Sequence, residues 1–120
     1  MHELSIAYAA VRTIDDLVGG QPVVAVRLRV GVLAGVVPDS LQFGWDVATA
    51  GTPLAGSVLT IDRVPLPSTC LDCGHRAVTE HPPPLSCSAC GGRALPTAPG
   101  RELEIASVEI QDRPEEGEPQ

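Results

Sequence analysis

The sequence predicts a small α+β protein with two helices, three strands and a cysteine-rich segment inserted before the last strand. Two stretches repeat apolar residues every three or four positions, as helices do, and three others have the apolar pattern of strands. Between the second and third of these strands lies a segment that holds all four cysteines and has little apolar periodicity. A chain of 120 residues with 43% apolar content is long enough for one small core plus a subdomain.

The first predicted helix covers residues 2–18. Its apolar residues recur at spacings of three and four and therefore share one face: Leu4, Ala7, Val11, Ile14 and Val18. Gly19 and Gly20 end this helix, and Pro22 prevents it from restarting. Because the helix begins almost at the first residue, we expect the N-terminus to be held close to the fold, unlike most termini.

Residues 23–31 follow as the first predicted strand, with one apolar face: Val24, Val26, Leu28 and Val30. The second predicted helix covers residues 38–49. Pro38 suits the first turn of a helix, and Asp39 complements the helix dipole there. The buried side of this helix is predicted to carry Leu41, Trp45 and Ala48.

Two further strands are predicted at residues 57–64, with Leu59 and Ile61 directed inward, and at residues 102–110. Residues 65–100 lie between them and lack apolar periodicity, so something other than an apolar core has to order them. The predicted organisation is therefore a domain of residues 1–64 plus 101–112, an inserted domain of residues 65–100, and a disordered acidic tail of residues 113–120.

The cysteines form two Cys-x-x-Cys pairs separated by thirteen residues: Cys70 with Cys73, and Cys87 with Cys90. Each pair can place both sulfurs on one side of a tight loop, and two facing loops give the tetrahedron of thiolates that suits Zn²⁺. Gly74 and Gly91 follow the pairs and allow the positive φ that turns backbone N–H groups toward sulfur. Four thiolates leave no open position for a substrate, so we expect a structural zinc site that folds the inserted segment.

Alternatives to zinc are an iron site of the same geometry, a redox dithiol, and cysteines with no shared role. A redox Cys-x-x-Cys usually begins a helix, which the flanking Pro and Gly residues oppose. His75 and His81 lie in the same segment. We interpret them as solvent-exposed loop residues, with an exchangeable zinc ligand as the alternative.

Charge and hydropathy narrow the classes of function. The net charge is −7, every basic residue is Arg, and no cluster of positive charge is visible, so we expect no nucleic-acid partner. No stretch approaches the roughly 20 apolar residues that span a bilayer, and the start of the chain lacks a signal-peptide pattern. We therefore expect no membrane partner and a cytoplasmic protein whose paired cysteines bind metal rather than form disulfides.

His2 lies next to the amine of Met1. That amine, together with the backbone nitrogen and the imidazole of His2, can close two fused chelate rings in one plane, and the backbone nitrogen of Glu3 can complete a square. Planar nitrogen ligation suits Ni²⁺ or Cu²⁺ rather than Zn²⁺. A histidine at position two is by itself more often incidental, and a favourable interaction with the helix dipole accounts for Glu3 without any metal.

Besides the paired Cys-x-x-Cys, four stretches occur in one order: Met1-His2-Glu3-Leu4-Ser5, Gly35-Val36-Val37-Pro38-Asp39-Ser40-Leu41-Gln42-Phe43, Gly51-Thr52-Pro53-Leu54 and Arg101-Glu102-Leu103-Glu104-Ile105. With these stretches the chain resembles the HypA/HybF family of hydrogenase maturation nickel chaperones, from residue 1 to about residue 110. Each stretch alone is common, but the combination is specific.

This resemblance implies two helices on a small three-stranded sheet, with a zinc domain inserted before the last strand. It implies that Ni(II) binds to the Met1 amine, to the backbone and imidazole of His2, and to the backbone nitrogen of Glu3. It implies that Zn(II) binds to Cys70, Cys73, Cys87 and Cys90. The implied function is a metallochaperone and not an enzyme, which passes nickel toward the large subunit of [NiFe]-hydrogenase with the nickel-binding GTPase HypB.

A zinc-ribbon module that binds protein partners without transferring nickel is the alternative function. An enzyme with a metal or thiol site agrees less well with the sequence. No Ser-His-Asp arrangement, phosphate-binding loop or catalytic carboxylate pair is apparent. The run Pro82-Pro83-Pro84 and the acidic tail depart from the family pattern.

Overall fold

The computed structural model describes residues 2–79 and 86–111. Met1, His81 and the predicted acidic tail at residues 113–120 lie outside the described residues. Two helices and six strands occur within the described ranges: α1 His2–Val18, β1 Val23–Gly31, α2 Pro38–Thr49, β2 Val58–Val64, β3 Leu66–Cys70, β4 Arg76–Thr79, β5 Ala94–Pro96 and β6 Leu103–Ile110.

These strands form two three-stranded sheets, in the orders β2-β1-β6 and β4-β3-β5. The chain divides into two compact units. The helical unit comprises Met1–Arg27, Val37–Thr60 and Ile105–Gln120, and the cysteine unit comprises Leu28–Val36 and Ile61–Glu104. The predicted α+β class is confirmed, with two helices and two small sheets in the described part of the chain. The predicted domain boundaries, at residues 64/65 and 100/101, stay a prediction.

Helix α1 has the bounds that its apolar period predicts. Ala7, Val11 and Ile14 are buried, and the helix ends where Gly19 donates its amide to the carbonyl of Asp15 at 3.0 Å. Gly19 has a φ of 64°, the left-handed conformation that glycine adopts without steric cost. Neither helix in the described residues is long and apolar enough to span a membrane.

Helix α2 packs against α1. Its buried side carries the three residues that the sequence predicted: Leu41, Trp45 and Ala48. The indole Nε1 of Trp45 donates to the Ser57 hydroxyl at 2.9 Å, so the largest core side chain is also satisfied as a donor. Gly44 faces the first turn of α1. A Cβ built on it would lie 3.4 Å from the Cα of Leu4, which is an ordinary van der Waals distance.

The strand predictions hold with local corrections. Val24 was expected on the buried face of β1, but it is 39% exposed while Val23 is only 3% exposed. Buried and exposed residues alternate regularly only from Val26 onward. At the half-buried Ala25 the buried positions change from odd to even residue numbers. Strand β2 begins at Val58 and β6 at Leu103, each one residue later than predicted.

The inserted segment contains three strands that the sequence analysis did not predict. Strand β3 pairs antiparallel with both β4 and β5. Its side chains alternate between buried and half-buried positions, and Leu66 is fully buried. A Cβ on Gly100 would lie 2.8 Å from Leu66 Cδ1 and 3.2 Å from Leu33 Cγ, so these residues form an apolar contact within the cysteine unit.

Candidate metal centres

All four cysteines converge at one end of the β4-β3-β5 sheet. Their sulfurs lie within 4.8 Å of one another, with 3.6 Å between Cys70 and Cys90 and 3.8 Å between Cys73 and Cys87. A Zn–S bond of about 2.3 Å gives a tetrahedron whose edges are about 3.8 Å. The four sulfurs therefore fit one zinc-sized tetrahedral ion.

Two loops of the same construction hold these sulfurs. In the first loop, the amides of Asp72 and Cys73 donate to Cys70 Sγ at 3.3 and 3.4 Å. In the second loop, the amide of Ala89 donates to Cys87 Sγ at 3.3 Å. Each loop closes with a glycine of positive φ that donates to the carbonyl of the first cysteine, at 3.1 Å for Gly74 and 2.8 Å for Gly91.

Backbone amides and neighbouring sulfurs also shift the pKa values of the Cys70 and Cys90 thiols. Hydrogen bonds from the amides of Cys73 and Asp72 lower the pKa of the Cys70 thiol to about 7, against an ordinary 9.0. The amide of Gly92 acts to lower the pKa of Cys90, but the neighbouring sulfurs of Cys73 and Cys70 outweigh it and raise that pKa to about 12. Four thiolates without a cation would repel one another, so a positive ion would stabilise this cluster.

Each loop contributes one buried and one exposed cysteine. Cys70 and Cys87 are buried, whereas Cys73 and Cys90 are exposed. The first cysteine of each pair begins its loop, and its own backbone amide donates a hydrogen bond across that loop. Cys70 donates its amide to the carbonyl of His75 at 2.9 Å, and Cys87 donates to that of Gly92 at 2.7 Å.

Asp72 links the two loops, a role that sequence reasoning missed. Its carboxylate Oδ2 accepts from the amide of Arg93 at 3.3 Å, directly after the second loop. A Cβ on Gly92 would overlap this carboxylate, since it would lie 2.9 Å from Asp72 Cγ. Glycine at this position therefore makes room for the link. The pattern Cys-x-x-Cys-Gly-Gly contained that signal, but it did not identify the carboxylate partner.

His75 is exposed and contributes its backbone carbonyl to the first loop. This agrees with its interpretation as a solvent-exposed loop residue. Whether it can replace a sulfur ligand stays a prediction.

The N-terminal candidates lie in the first turn of α1. His2 is exposed and Glu3 is half-buried. Glu3 Oε2 accepts from the amide of Val37 at 2.9 Å, at the N-cap position of α2, where no side chain of α2 itself provides a cap. This bond holds the pKa of the Glu3 carboxyl below its ordinary 4.5. The sequence suggested only a dipole interaction for Glu3 and could not indicate a partner 34 positions away.

Of the predicted site residues, the structure brings the four cysteines together. His2 and Glu3 lie on one helical turn, and Met1 lies outside the described residues. Ligation of zinc by the cysteines and of nickel by the N-terminal residues stays a prediction.

Residues 1–110 match the family model described as hydrogenase/urease nickel incorporation, metallochaperone, hypA. The hydrogenase maturation factor HypA of Chloroflexus aurantiacus is 41% identical over 112 residues, covering 91% of this chain and 98% of that protein. That of Streptomyces avermitilis is 43% identical over 116 residues, covering 93% and 88%. The solution structure of the Ni metallochaperone HypA from Helicobacter pylori matches with a TM-score of 0.55 at 16% identity, covering 92% of this chain and 98% of that one, which shows a shared fold.

Proposed function

We propose that this chain, which belongs to the HypA family of nickel-incorporation metallochaperones for hydrogenase maturation, binds Ni(II) at its own N-terminus. The ligands are the Met1 amine, the backbone and imidazole of His2, and the backbone nitrogen of Glu3. The chain then delivers the ion for insertion into the large subunit of [NiFe]-hydrogenase, together with the GTPase HypB, in the cytoplasm. The observation that carries the proposal is the exposed first turn of α1, anchored by Glu3.

The first turn of α1 offers backbone nitrogens that the helix does not use. The first four N–H groups of a helix have no carbonyl partner within the helix, and α1 begins at His2. A chelate ring through two successive backbone nitrogens requires the backbone torsion ψ between them to be near zero. A helical ψ of about −42° is much closer to that value than an extended ψ of about +135°. A helical start therefore favours chelation by neighbouring nitrogens.

Contacts with α2 and with its N-cap residue Val37 hold the same turn in place. The Glu3 carboxylate is bonded to the amide of Val37, and Leu4 lies against Gly44 of α2. His2 remains exposed. A carrier needs this combination, because its ligands have to be preorganised while the ion stays open to ligand exchange with the next protein. Binding should weaken as the pH falls, since the nitrogen ligands have to lose protons to bind a metal.

The cysteine cluster has a structural role in this proposal. When bound, zinc would join the two loops and neutralise part of the thiolate charge. Cys70, Cys73, Cys87 and Cys90 are its ligands, and the amides around them orient the sulfurs. Four protein ligands fill a tetrahedral site and leave no position at which a substrate could bind, so we propose no catalytic turnover at this site.

Calorimetry with Ni²⁺ on zinc-loaded protein, with no residue added ahead of Met1, tests the nickel site. One ion should bind per chain, His2→Ala should abolish that binding, and the zinc content should be unchanged. His75→Ala is the matched control, because it removes another exposed histidine and should leave nickel binding intact.

Equal nickel binding by the parent and His2→Ala would refute the N-terminal site. If the parent binds no nickel at neutral pH, the nickel-carrier function is wrong. The alternative function then replaces it: a zinc-ribbon module that binds protein partners.

A further inference from the structure

The β4-β3-β5 sheet has one face toward the sulfurs and one open face. On the first face, strand β3 buries Leu66, Ser68 and Cys70. Successive side chains of a strand point to opposite faces. Thr69 therefore belongs to the open face.

The register of the sheet defines what surrounds Thr69. Arg76 of β4 and Leu95 of β5 lie directly opposite it on the two sides. Leu71, two residues along from Thr69, donates its amide to the carbonyl of Arg93 at 2.8 Å. Opposed residues in antiparallel pairs share a face. We call this surface the ribbon face: Thr69, Leu71, Arg76, Val78, Arg93 and Leu95.

The ribbon face carries three exposed apolar side chains in the described structure. Leu71 is 60% exposed, Val78 68% and Leu95 42%. Leu71, Arg93 and Leu95 also line an open groove of about 710 Å³, which is bounded on one side by the glycines of the second loop. Exposed apolar side chains such as Leu71 and Leu95, which lie beside a groove, are typical of a protein-binding surface.

The charges on this face oppose those of the whole chain. Arg76 and Arg93 are exposed, and within the described residues neither guanidinium makes an ion pair. The chain itself carries a net charge of −7. Asp72 is the acidic residue that lines the groove, and its carboxylate is bonded to the Arg93 amide. A partner that complements the ribbon face therefore combines negative charge with apolar side chains.

We propose that the ribbon face docks a protein segment that carries carboxylates beside apolar side chains. This interaction goes beyond nickel delivery and does not depend on it. Nucleic acid fits less well, because two arginines without an aromatic neighbour give neither a phosphate track nor a stacking platform. A second copy of this chain fits less well too, since a two-fold interface brings the same patch against itself and would bring its arginines together.

Nuclear magnetic resonance on the zinc-loaded, ¹⁵N-labelled full chain tests this proposal. The probe is an N-acetylated, C-amidated octapeptide of Glu, Leu and Gly. The peptide should shift the amide resonances of residues on the ribbon face. Peptides with Lys in place of Glu, or Ser in place of Leu, should bind at least tenfold more weakly. Arg76→Glu with Arg93→Glu should weaken binding about tenfold, as expected for reversal of two exposed charges. Leu71→Ser with Leu95→Ser should weaken it at least as much.

Arg12→Glu is the matched control, because it makes the same charge change at an exposed position of the helical unit. It should leave peptide binding unchanged, and all variants should keep one zinc ion per chain. The proposal is overturned if the Lys peptide binds as well as the Glu peptide, or if the shifts fall outside the ribbon face. It is equally overturned if no shift occurs at millimolar peptide, if single-stranded RNA binds this face more tightly, or if the face is covered by self-association.

Discussion

Replacing Gly44 by alanine should stabilise the helical unit, although the residue faces the first turn of α1. The added Cβ would lie 3.4 Å from Leu4 Cα, 3.6 Å from Leu4 Cδ1 and 3.7 Å from the Glu3 carbonyl oxygen. These are ordinary van der Waals distances. The methyl group therefore fills available space and does not push the helices apart.

The expected gain follows from helix propensity and burial. Glycine in a helix interior is about 0.8–1.0 kcal/mol less favourable than alanine, and burial of one methyl group adds up to about 0.8 kcal/mol. We expect a gain of about 1 kcal/mol, which for 120 residues raises Tm by about 4 °C. Gly44→Val should instead cost about 1–3 kcal/mol, because its two further methyl groups have to displace the backbone of Leu4.

Tryptophan fluorescence provides a local assay for this change. The sequence has one Trp, and Trp45 is 1% exposed on the helix that carries Gly44. Thermal unfolding followed at this residue reports the helical unit. Gly51→Ala is a control of opposite sign. Gly51 has a φ of 76° and open space around it, so alanine should only add backbone strain and lower Tm.

A lower Tm for Gly44→Ala would refute the reasoning, because it would mean that the first turn of α1 is closer to α2 than described. Equal effects at Gly44 and Gly51 would show that helix crossing has no part in the result.

Three further predictions concern the two candidate metal centres. Asp72→Ala should speed zinc loss to a colorimetric chelator several-fold, whereas Asp72→Asn, which keeps an acceptor for the Arg93 amide, should behave like the parent. Because the pKa of Cys70 is about 7, zinc binding should release one proton fewer above pH 7 than below it, measured as the slope of log affinity against pH. Glu3→Gln should lower Tm at pH 7. A carboxyl whose pKa is lowered by folding stabilises the folded state at every pH above its pKa in the unfolded chain. The difference should vanish as the pH falls through the folded pKa, and a constant difference down to pH 3 would contradict the bond to Val37.

The two helices were predictable from the sequence because their apolar faces are strictly periodic. Trp45 and Ala48 are buried as the helical period requires. The paired Cys-x-x-Cys was equally informative, because its spacing and following glycines describe the loop that holds the sulfurs.

The strands of the inserted segment could not be predicted in the same way. Strand β3 has Pro67 at its second position and is only five residues long. Its inward positions combine an apolar residue, a serine and a metal-site cysteine, so hydropathy alternation is weak. The bond between Glu3 and Val37, like that between Asp72 and Arg93, joins residues far apart in sequence, and no local pattern encodes such a pairing.

The unequal exposure of the four cysteines has a consequence for chemical attack on the cluster. An alkylating reagent in solution should reach Cys73 and Cys90 first, one on each loop, while Cys70 and Cys87 are shielded. Loss of an outer sulfur leaves the inner one bonded to its own backbone amides. Alkylation should therefore open the cluster on its exposed side first, while Cys70 and Cys87 keep their places in the two loops.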